Sequence, residues 1–413
     1  MFCRERDFLF ENSVGEGSMK GYDEQIMRLV RGHQIWRGKC LNLIPSENIT
    51  SPTVREVTSS DFMHRYLDLD EPFYLGTKFM NDVESLGQRL AEKVFKASFA
   101  CLRPLSGNTA DMVTLIALTK PGDRIISIHR RNGGYYGFSE GGCAETLGLK
   151  IECFPFDEYE MNIRIEEAYE QIMKVRPRLV IFGASFILFP EPVKELSEAA
   201  ADVGADAVYD GSHVLGLIAG KYFQDPLGEG ASILMGSTHK TFPGPQGGII
   251  VGKGEFGEKI ERACLPMFDN HHMQKVAGIA VTLAEMLSFG EEYAKQIVRN
   301  SKKIAKGLAD FGIPVKCSHK GYTESHQVLL DIHGSDEIKD VTGRLERANI
   351  IVDRGIRIGT QEITRFGMKE REMERVAEFF KRIIKDREKP EKVAVDVTEM
   401  SAEFDEVRFC FKR

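Results

Sequence analysis

The sequence predicts an α/β fold built on a doubly wound, mostly parallel sheet. Four apolar runs have the length of buried strands and lie at 123–129, 178–185, 205–210 and 232–240. Segments 164–175 and 192–204 have the periodicity of amphipathic helices and separate three of these runs. Strands that alternate with helices form parallel sheets covered on both faces, so this order predicts one large α/β domain.

The C-terminal third has a different pattern, which predicts a smaller α/β domain. Its predicted elements are two helices, at 280–312 and 372–387, and two strands, at 327–333 and 349–355. We therefore expect three parts, namely an N-terminal segment over 1–50, a large domain over 51–279 and a small domain over 280–413.

Composition excludes several classes of protein. The 413 residues carry a net charge of -7, and a dedicated nucleic-acid binder would need a clustered cationic surface. No apolar run approaches the roughly 18 residues that span a bilayer, and the charged start is unlike a signal peptide, so we expect a cytoplasmic protein without a membrane partner. The eight cysteines form no C-x-x-C pair, and the adjacent His271 and His272 have no carboxylate or thiol pattern beside them; we expect no metal site.

Lys240 ends an apolar run in "ILMGSTHKTFPGPQGG". Three roles are open to it: a ligand of a nucleotide phosphate, a catalytic amine, or an ordinary lysine at a strand end. A phosphate-binding P-loop needs glycines wrapped around the anion before the lysine, whereas "MGSTH" precedes Lys240. The nucleotide role is therefore excluded, and the other two stay open at this point.

The ends of the predicted strands carry further polar residues. Ser185, Asp210 and Lys240 each follow a strand, and the carboxyl ends of parallel strands meet in one crevice. Upstream, Ser106, Gly107 and Asn108 lead into a helical pattern whose free amides suit a phosphate, although an ordinary helix cap has the same pattern. A phosphate cradle, an acid and a lysine are together what pyridoxal 5'-phosphate requires: the lysine binds its aldehyde and the acid keeps its ring nitrogen protonated.

Four motifs add a resemblance to a known family. They are "NLIPSENITSPTVREV" (42–57), "YDGSHVLGLIAG" (209–220), "GSTHKTFPGPQGG" (236–248) and "GIRIGTQEITRFGM" (355–368). In this order they resemble serine hydroxymethyltransferase, especially its archaeal branch, from about residue 25 to about residue 385. The resemblance implies a fold-type I aminotransferase-like architecture with a seven-stranded sheet, a homodimer with active sites built from both subunits, and cleavage of the Cα–Cβ bond of β-hydroxy amino acids.

The resemblance also implies roles for individual residues. For the cofactor it implies Lys240 as the covalent attachment, Asp210 at the ring nitrogen, His213 and Ser185 at the phenolic oxygen, Ser106, Gly107 and Asn108 at the phosphate, and Thr238 and His239 beside the lysine. For the amino acid substrate it implies Arg357 on the carboxylate, assisted by Ser46, with Tyr66 and Tyr74 reaching across the dimer. The catalytic set implied is Lys240, Asp68, His239 and Tyr74.

Three departures from the family pattern keep the reaction open. Asp68 stands where the family has the glutamate that handles the substrate hydroxyl and folate. Asn132, which we expect to contact the cofactor, stands where the family has the ring-stacking histidine, with Tyr135 three residues on. The segment before "GIRIGT" is short. The chain is therefore a serine/glycine hydroxymethyltransferase using tetrahydrofolate or tetrahydromethanopterin, a folate-independent aldolase for threonine-like or α-substituted substrates, or a catalytically reduced paralogue that binds pyridoxal phosphate. Because Lys240, Asp210, His213 and Arg357 are present, and because active-site loops vary more readily than the reaction they frame, we favour the first.

Overall fold

The computed structural model describes residues 21–68 and 73–412. The helices in this part of the chain are α1 (Tyr22–Arg37), α2 (Pro52–Thr58), α3 (Lys78–Phe95), α4 (Gly107–Leu118), α5 (Cys143–Thr146), α6 (Ile165–Val175), α7 (Val193–Asp202), α8 (Leu215–Ala219), α9 (Gly257–Cys264), α10 (Met273–Asp310), α11 (Ser335–Arg347), α12 (Gln361–Arg365), α13 (Glu370–Ile384) and α14 (Pro390–Ala402). The strands are β1 (Leu41–Asn42), β2 (Phe99–Cys101), β3 (Arg124–Ser127), β4 (Lys150–Cys153), β5 (Phe156–Asp157), β6 (Asn162–Ile163), β7 (Leu179–Phe182), β8 (Asp206–Asp210), β9 (Ile233–Ser237), β10 (Gly248–Gly252), β11 (Gln327–Leu329), β12 (Ile350–Ile351) and β13 (Arg357–Gly359).

A seven-stranded sheet forms the centre of the large domain, with the strand order β2-β10-β9-β8-β7-β3-β4. Strands β4, β3, β7, β8 and β9 pair in parallel, whereas β10 runs antiparallel to both of its neighbours. The four predicted strands correspond to β3, β7, β8 and β9. The predicted mostly parallel α/β sheet is confirmed.

Strand β7 explains why these runs read as continuous apolar segments. Leu179 and Ile181 belong to the core on one face of the sheet, which α4 and α9 cover. Val180 and Phe182 belong to the core on the other face, which α3, α7 and α10 cover. Side chains alternate between the faces of a strand, so a strand buried on both faces needs apolar residues at every position.

A second core lies in the C-terminal region. The antiparallel pair of β11 and β13 packs there with α11, α13 and α14. The N-terminal segment also belongs to this core, because β1 pairs in parallel with β12 and both Leu41 and Leu43 are fully buried in it. Sequence patterns alone did not predict this pairing across the chain.

Helix α10 joins the two cores. It has 38 residues, begins before the predicted position 280, and crosses the predicted domain boundary without interruption. Val276 packs into the core of the large domain, and Ile304 and Leu308 pack into the C-terminal core. The boundaries 1–50, 51–279 and 280–413 stay a prediction.

Helix α1 buries none of its side chains in the described structure. Its outward apolar side chains include Ile26, Leu29 and Ile35, each about 60% exposed. None of the helices over 21–68 and 73–412, α1 included, is both long and apolar enough to cross a membrane.

Candidate active site

A cavity of about 130 Å³ opens at the carboxyl ends of three adjacent strands of the large sheet, β7, β8 and β9, and at the start of α4. Its lining residues come from these four places and from one further loop: Ser106, Gly107, Asn108, Asp111, Tyr135, Ala184, Ser185, Asp210, Ser212, His213, Ser237, His239 and Lys240. The structure thus brings together Ser185, Asp210 and Lys240, which the strand order predicted to meet.

The first turn of α4 forms a polar cradle. Ser106 is the N-cap residue: its hydroxyl accepts from the Thr109 amide, while the Ser106 amide donates to the Thr109 hydroxyl. Gly107 lies so close to β9 that an added Cβ would meet Ser237 Oγ at 2.2 Å and Ser212 Oγ at 3.0 Å. Free amides at a helix start, surrounded by serine hydroxyls, suit a phosphate group.

Lys240 occupies the turn after β9. Burial lowers the pKa of its amine, against the opposing effect of the Asp210 carboxylate. A lowered pKa increases the neutral fraction of the amine, which is the nucleophilic form. The carbonyl of Lys240 accepts a hydrogen bond from Asn48 Nδ2 at 2.5 Å, so the backbone at the lysine is anchored to the N-terminal segment.

Two carboxyl groups line the cavity near this lysine. Asp210 ends β8 and accepts a hydrogen bond from the Ser212 amide at 2.9 Å. Asp111 is 1% exposed, and its Oδ1 has no partner in the described part of the chain. Burial, together with the Asp210 carboxylate, raises the pKa of Asp111 well above its usual range, which favours its protonated form. Sequence reasoning missed Asp111, although its spacing of four from Gly107 places it on the same face of α4.

His213 is buried at the other side of the cavity. Burial lowers its pKa well below 6.5, so the ring is neutral. The ring stacks on that of His326 with centroids 5.7 Å apart, and its Nδ1 lies 3.0 Å from Gln327 Nε2. Neither His326 nor Gln327 was predicted as a site residue. Both belong to the C-terminal domain and lie outside the sequence motifs that contain the phosphate cradle and Lys240.

Arg357 begins β13 and approaches the cavity from the C-terminal domain. Its Nε donates to Asp353 Oδ2 at 2.7 Å, and its Nη1 donates to the Ser185 carbonyl oxygen at 2.7 Å. The guanidinium carbon lies 4.5 Å from the centre of the Phe186 ring. These three contacts fix the plane of the guanidinium while leaving other N–H groups for a carboxylate.

Ser46 lies in the segment that packs against β13 and α12. Gln361 Nε2 in α12 donates to the carbonyl oxygens of Ile44 at 2.9 Å and Glu47 at 2.6 Å, on either side of Ser46. The Gly359 amide in β13 donates to the Leu43 carbonyl at 2.8 Å. The segment that carries Ser46 is therefore tied to the strand that carries Arg357.

Tyr135, not Asn132, lines the cavity. Its hydroxyl donates to Asn108 Oδ1 at 2.8 Å, which places it beside the cradle. Asn132 is buried in the preceding turn, and its Oδ1 has no partner in the described chain. Gly133, between the two residues, has a φ of 91°, a backbone conformation that glycine adopts without strain.

Of the two residues before Lys240, Thr238 stabilises the turn and His239 lines the cavity. Thr238 is fully buried and shapes the turn, because its hydroxyl donates to the Pro245 carbonyl at 2.7 Å and its amide donates to Gly247. His239 lines the cavity, and burial together with Lys240 lowers its pKa to about 4. Its Nδ1 has no partner among the described residues.

Asp68, Tyr66 and Tyr74 do not line the cavity of their own chain in the described structure. They form a cluster at the surface, where Asp68 Oδ2 accepts from the Tyr74 amide at 2.9 Å and the two tyrosine rings are 5.3 Å apart. Phe73 and Leu75 beside them are 83% and 94% exposed. The same described part of the chain contains no group of three or more His, Cys, Asp or Glu side chains that could hold a metal ion.

Comparisons with known proteins show the family of this chain. The family model described as "Serine hydroxymethyltransferase" matches residues 19–380. The serine hydroxymethyltransferase of Methanocaldococcus jannaschii is 46% identical, with 92% of this chain and 94% of that protein covered, and that of Thermococcus kodakarensis is 44% identical, with 94% and 96% covered. Among solved structures, an L-threonine transaldolase from Pseudomonas fluorescens matches with a TM-score of 0.88 and 29% identity, over 94% of this chain and 93% of that chain. Since the family model covers most of the chain and its curated relatives align over nearly their full lengths, the chain belongs to the serine hydroxymethyltransferase family.

Proposed function

We propose that this chain is a pyridoxal phosphate-dependent transferase that interconverts serine and glycine and passes the one-carbon group to a reduced pterin carrier. The observation that carries the proposal is the cavity itself, in which Lys240, Asp210 and the cradle at Gly107 lie together in a chain of this family. Pyridoxal phosphate fits these residues. The approach of Gly107 to Ser237 leaves room that any side chain would fill, and Asp111 Oδ1 and His239 Nδ1 are buried polar atoms without partners in the described chain.

Bound there, the cofactor supplies an electron sink for the electrons of the bond that breaks at the substrate Cα. Three places in the chain would hold it: the α4 amides with the Ser106 and Ser237 hydroxyls at the phosphate, Asp210 at the ring nitrogen, whose proton it would stabilise, and Lys240 at the aldehyde. Tyr135 is the aromatic residue positioned to cover the ring, in place of the Asn132 contact expected from sequence.

Lys240 and Arg357 act on the amino acid. Lys240 Nζ is available as a neutral nucleophile and proton carrier, because burial lowers its pKa. Arg357 takes the α-carboxylate through the N–H groups that Asp353 and Ser185 leave free, assisted by Ser46 on the segment tied to β13. Asp353 and the Ser185 carbonyl orient the guanidinium before the substrate arrives.

We further propose a homodimer in which Tyr66, Asp68 and Tyr74 enter the partner's cavity. The exposure of Phe73 and Leu75 beside them supports a covered surface in the assembly, as do the uncovered apolar side chains of α1. Mixing Tyr74→Ala subunits with Lys240→Ala subunits tests this directly. Shared sites restore one working site in each hybrid dimer, whereas sites confined to one chain leave the mixture as inactive as its components.

The carrier is the finer part of the proposal, and tetrahydrofolate and tetrahydromethanopterin are its two candidates. A folate-independent aldolase or transaldolase is the second candidate function. Two observations favour it. Asp68 has a shorter side chain than the glutamate that the family resemblance implies at this position, and the fold also matches a threonine transaldolase. The test supplies serine and allo-threonine, each alone and with either carrier, and follows glycine. Carrier-stimulated glycine formation from serine supports the transferase; cleavage of allo-threonine indifferent to both carriers supports the aldolase.

A catalytically reduced paralogue is the third candidate, and the grouping of Lys240, Asp210 and His213 around one cavity argues against it.

For the compartment, we propose the cytoplasm, because the seven described cysteines are all free thiols.

A further inference from the structure

We propose that Gln327 is a positioning residue that holds the proton of the His213 ring on Nε2, the nitrogen not bonded to the glutamine. The inference rests on the proposed function, because it concerns the histidine assigned to the phenolic oxygen of the cofactor. Its support is a set of hydrogen bonds between the two domains of the chain.

The orientation of the Gln327 amide follows from its neighbours. Its Nε2 lies 3.0 Å from the Ser185 carbonyl oxygen and 3.0 Å from His213 Nδ1. A carbonyl oxygen only accepts hydrogen bonds, so the atom that faces Ser185 must be the NH₂ group. The second proton of that NH₂ group then points at His213 Nδ1, which accepts it through its lone pair.

The His213 ring is neutral and cannot turn freely. Its neighbours Lys240, Arg357, His326 and His239 carry no negative charge, and burial is the largest effect that disfavours a proton on it. The ring stacks on His326, and the His213 carbonyl accepts from the Thr241 hydroxyl at 2.7 Å. In a neutral imidazole whose Nδ1 accepts, Nε2 carries the hydrogen.

A glutamine at this buried position leaves one polar atom without a partner among the described residues, which an apolar residue would not do. Gln327 is fully buried, and its Oε1 has no hydrogen-bond partner in the described chain. A leucine or methionine would fill a similar volume without an unpaired acceptor. The two bonds that Nε2 donates are therefore what distinguishes glutamine at this position.

The same amide links two sides of the site. The Ser185 carbonyl oxygen accepts from Gln327 Nε2 and also from Arg357 Nη1 at 2.7 Å. Gln327 thus sets the donor nitrogen of the histidine assigned to the cofactor and supports the loop that orients the substrate arginine. An Nε2–H group aimed at an anionic oxygen stabilises it, whereas a bare nitrogen would repel it.

The experiment is ¹⁵N NMR of the full chain labelled at histidine, free of cofactor and then loaded with pyridoxal phosphate, with the His213 signals assigned by their loss in His213→Gln. Wild type should show protonated Nε2 and unprotonated Nδ1. Gln327→Leu should give a mixture of the two forms. Gln327→Glu, when ionised, offers only acceptors, so Nδ1 should become protonated. The matched control is Gln171→Leu, since Gln171 Nε2 also donates to a carbonyl, that of Cys153, and its Oε1 is likewise unpaired.

A protonated Nδ1 in wild type, or the wild-type pattern retained in both Gln327 variants, overturns the inference. The wild-type spectrum decides even where a variant does not fold. As a second measurement, Gln327→Leu should raise the dissociation constant of pyridoxal phosphate about 2- to 12-fold, the range that one hydrogen bond spans, and Gln171→Leu should not. The NMR spectrum reports the His213 tautomer without any catalysed reaction. If the proposed reaction is absent while the tautomer is as expected, only the proposed function is contradicted.

Discussion

Asn48 Nδ2 donates to the backbone carbonyl of Lys240 at 2.5 Å and to the Tyr293 hydroxyl oxygen at 2.9 Å. The Tyr293 hydroxyl in turn donates to the Gln361 carbonyl at 2.9 Å. A residue of the N-terminal motif therefore connects Lys240 to α10 and α12. Residues outside β9 therefore hold the turn that carries Lys240.

Asn48→Ala should slow the capture of pyridoxal phosphate by Lys240. Loss of a hydrogen bond is worth about 0.5–1.5 kcal/mol, so we expect a rate about 2- to 12-fold lower. Stopped-flow absorbance gives the rate, and borohydride reduction followed by peptide mass analysis locates the adduct. Asn81→Ala is the control, because Asn81 is exposed on α3. An adduct on a lysine other than Lys240 would refute the assignment.

Asp210→Asn should leave the cofactor attached while slowing every step that places negative charge on the substrate Cα. An amide cannot hold the proton on the ring nitrogen, and removing one such electrostatic group typically costs about 10²–10³ in rate. Exchange of the glycine α-proton, followed by NMR in heavy water, measures the effect. Exchange at the wild-type rate would remove Asp210 from this role.

Arg357→Lys should raise KM for serine more than it lowers kcat. A point charge replaces a planar fork, and a hydrogen bond to a charged group is worth about 1.5–3 kcal/mol, which corresponds to about 10- to 150-fold. Steady-state kinetics at saturating carrier measures both constants. Arg354→Lys, at an exposed position three residues earlier, is the matched control. Equal KM in wild type and Arg357→Lys would place the carboxylate elsewhere.

Asp68 separates the two enzyme functions. In a carrier-dependent transferase, Asp68→Glu should retain or raise carrier-stimulated glycine formation and Asp68→Ala should abolish it. In an aldolase, the extra methylene overfills the pocket at about 1–3 kcal/mol, a loss of about 5- to 150-fold in allo-threonine cleavage. Cleavage rates of the three proteins, with and without each carrier, decide between them. Stimulation lost only in the alanine variant would exclude the aldolase.

His326→Asn should reduce the acid sensitivity of the fold. Burial lowers the pKa of His326 from 6.5 to about 3, so between these pH values the unfolded chain binds a proton that the folded chain does not. Stability therefore falls as pH falls through this window, by about 1.4 kcal/mol per pH unit for one such group. The variant lacks this loss, so its free energy of unfolding relative to wild type should improve by about 2 kcal/mol from about pH 7 to about pH 5. Denaturant titrations at both pH values measure it, and a constant difference would contradict the assignment.

The sequence predicted the sheet because its strands are buried on both faces and read as continuous apolar runs. It predicted the meeting of Ser185, Asp210 and Lys240 because parallel strands end at one edge. It missed Asp111, whose helical spacing was available as a signal. It also missed His326 and Gln327, because no local pattern specifies how the C-terminal domain packs on the large one. The sequence did not show that Tyr135 and not Asn132 lines the cavity, because this difference follows from the turn at Gly133, where Phe186 leaves no room for a side chain.

In the proposed homodimer, the uncovered helix α1 should make the amount of folded structure depend on protein concentration. A 16-residue helix with no buried side chain is marginally stable in water. Its last residue, Arg37, donates to Asn42 at 2.6 Å and to Glu47 at 2.6 Å, next to Ser46. Where the second copy of the proposed homodimer covers α1, dilution below the dissociation constant should melt this helix and remove the two Arg37 contacts, while the β1–β12 pair and the Gln361 bonds keep the segment that carries Ser46 in place. Helicity and activity per subunit should then decline together on dilution, before the two cores unfold.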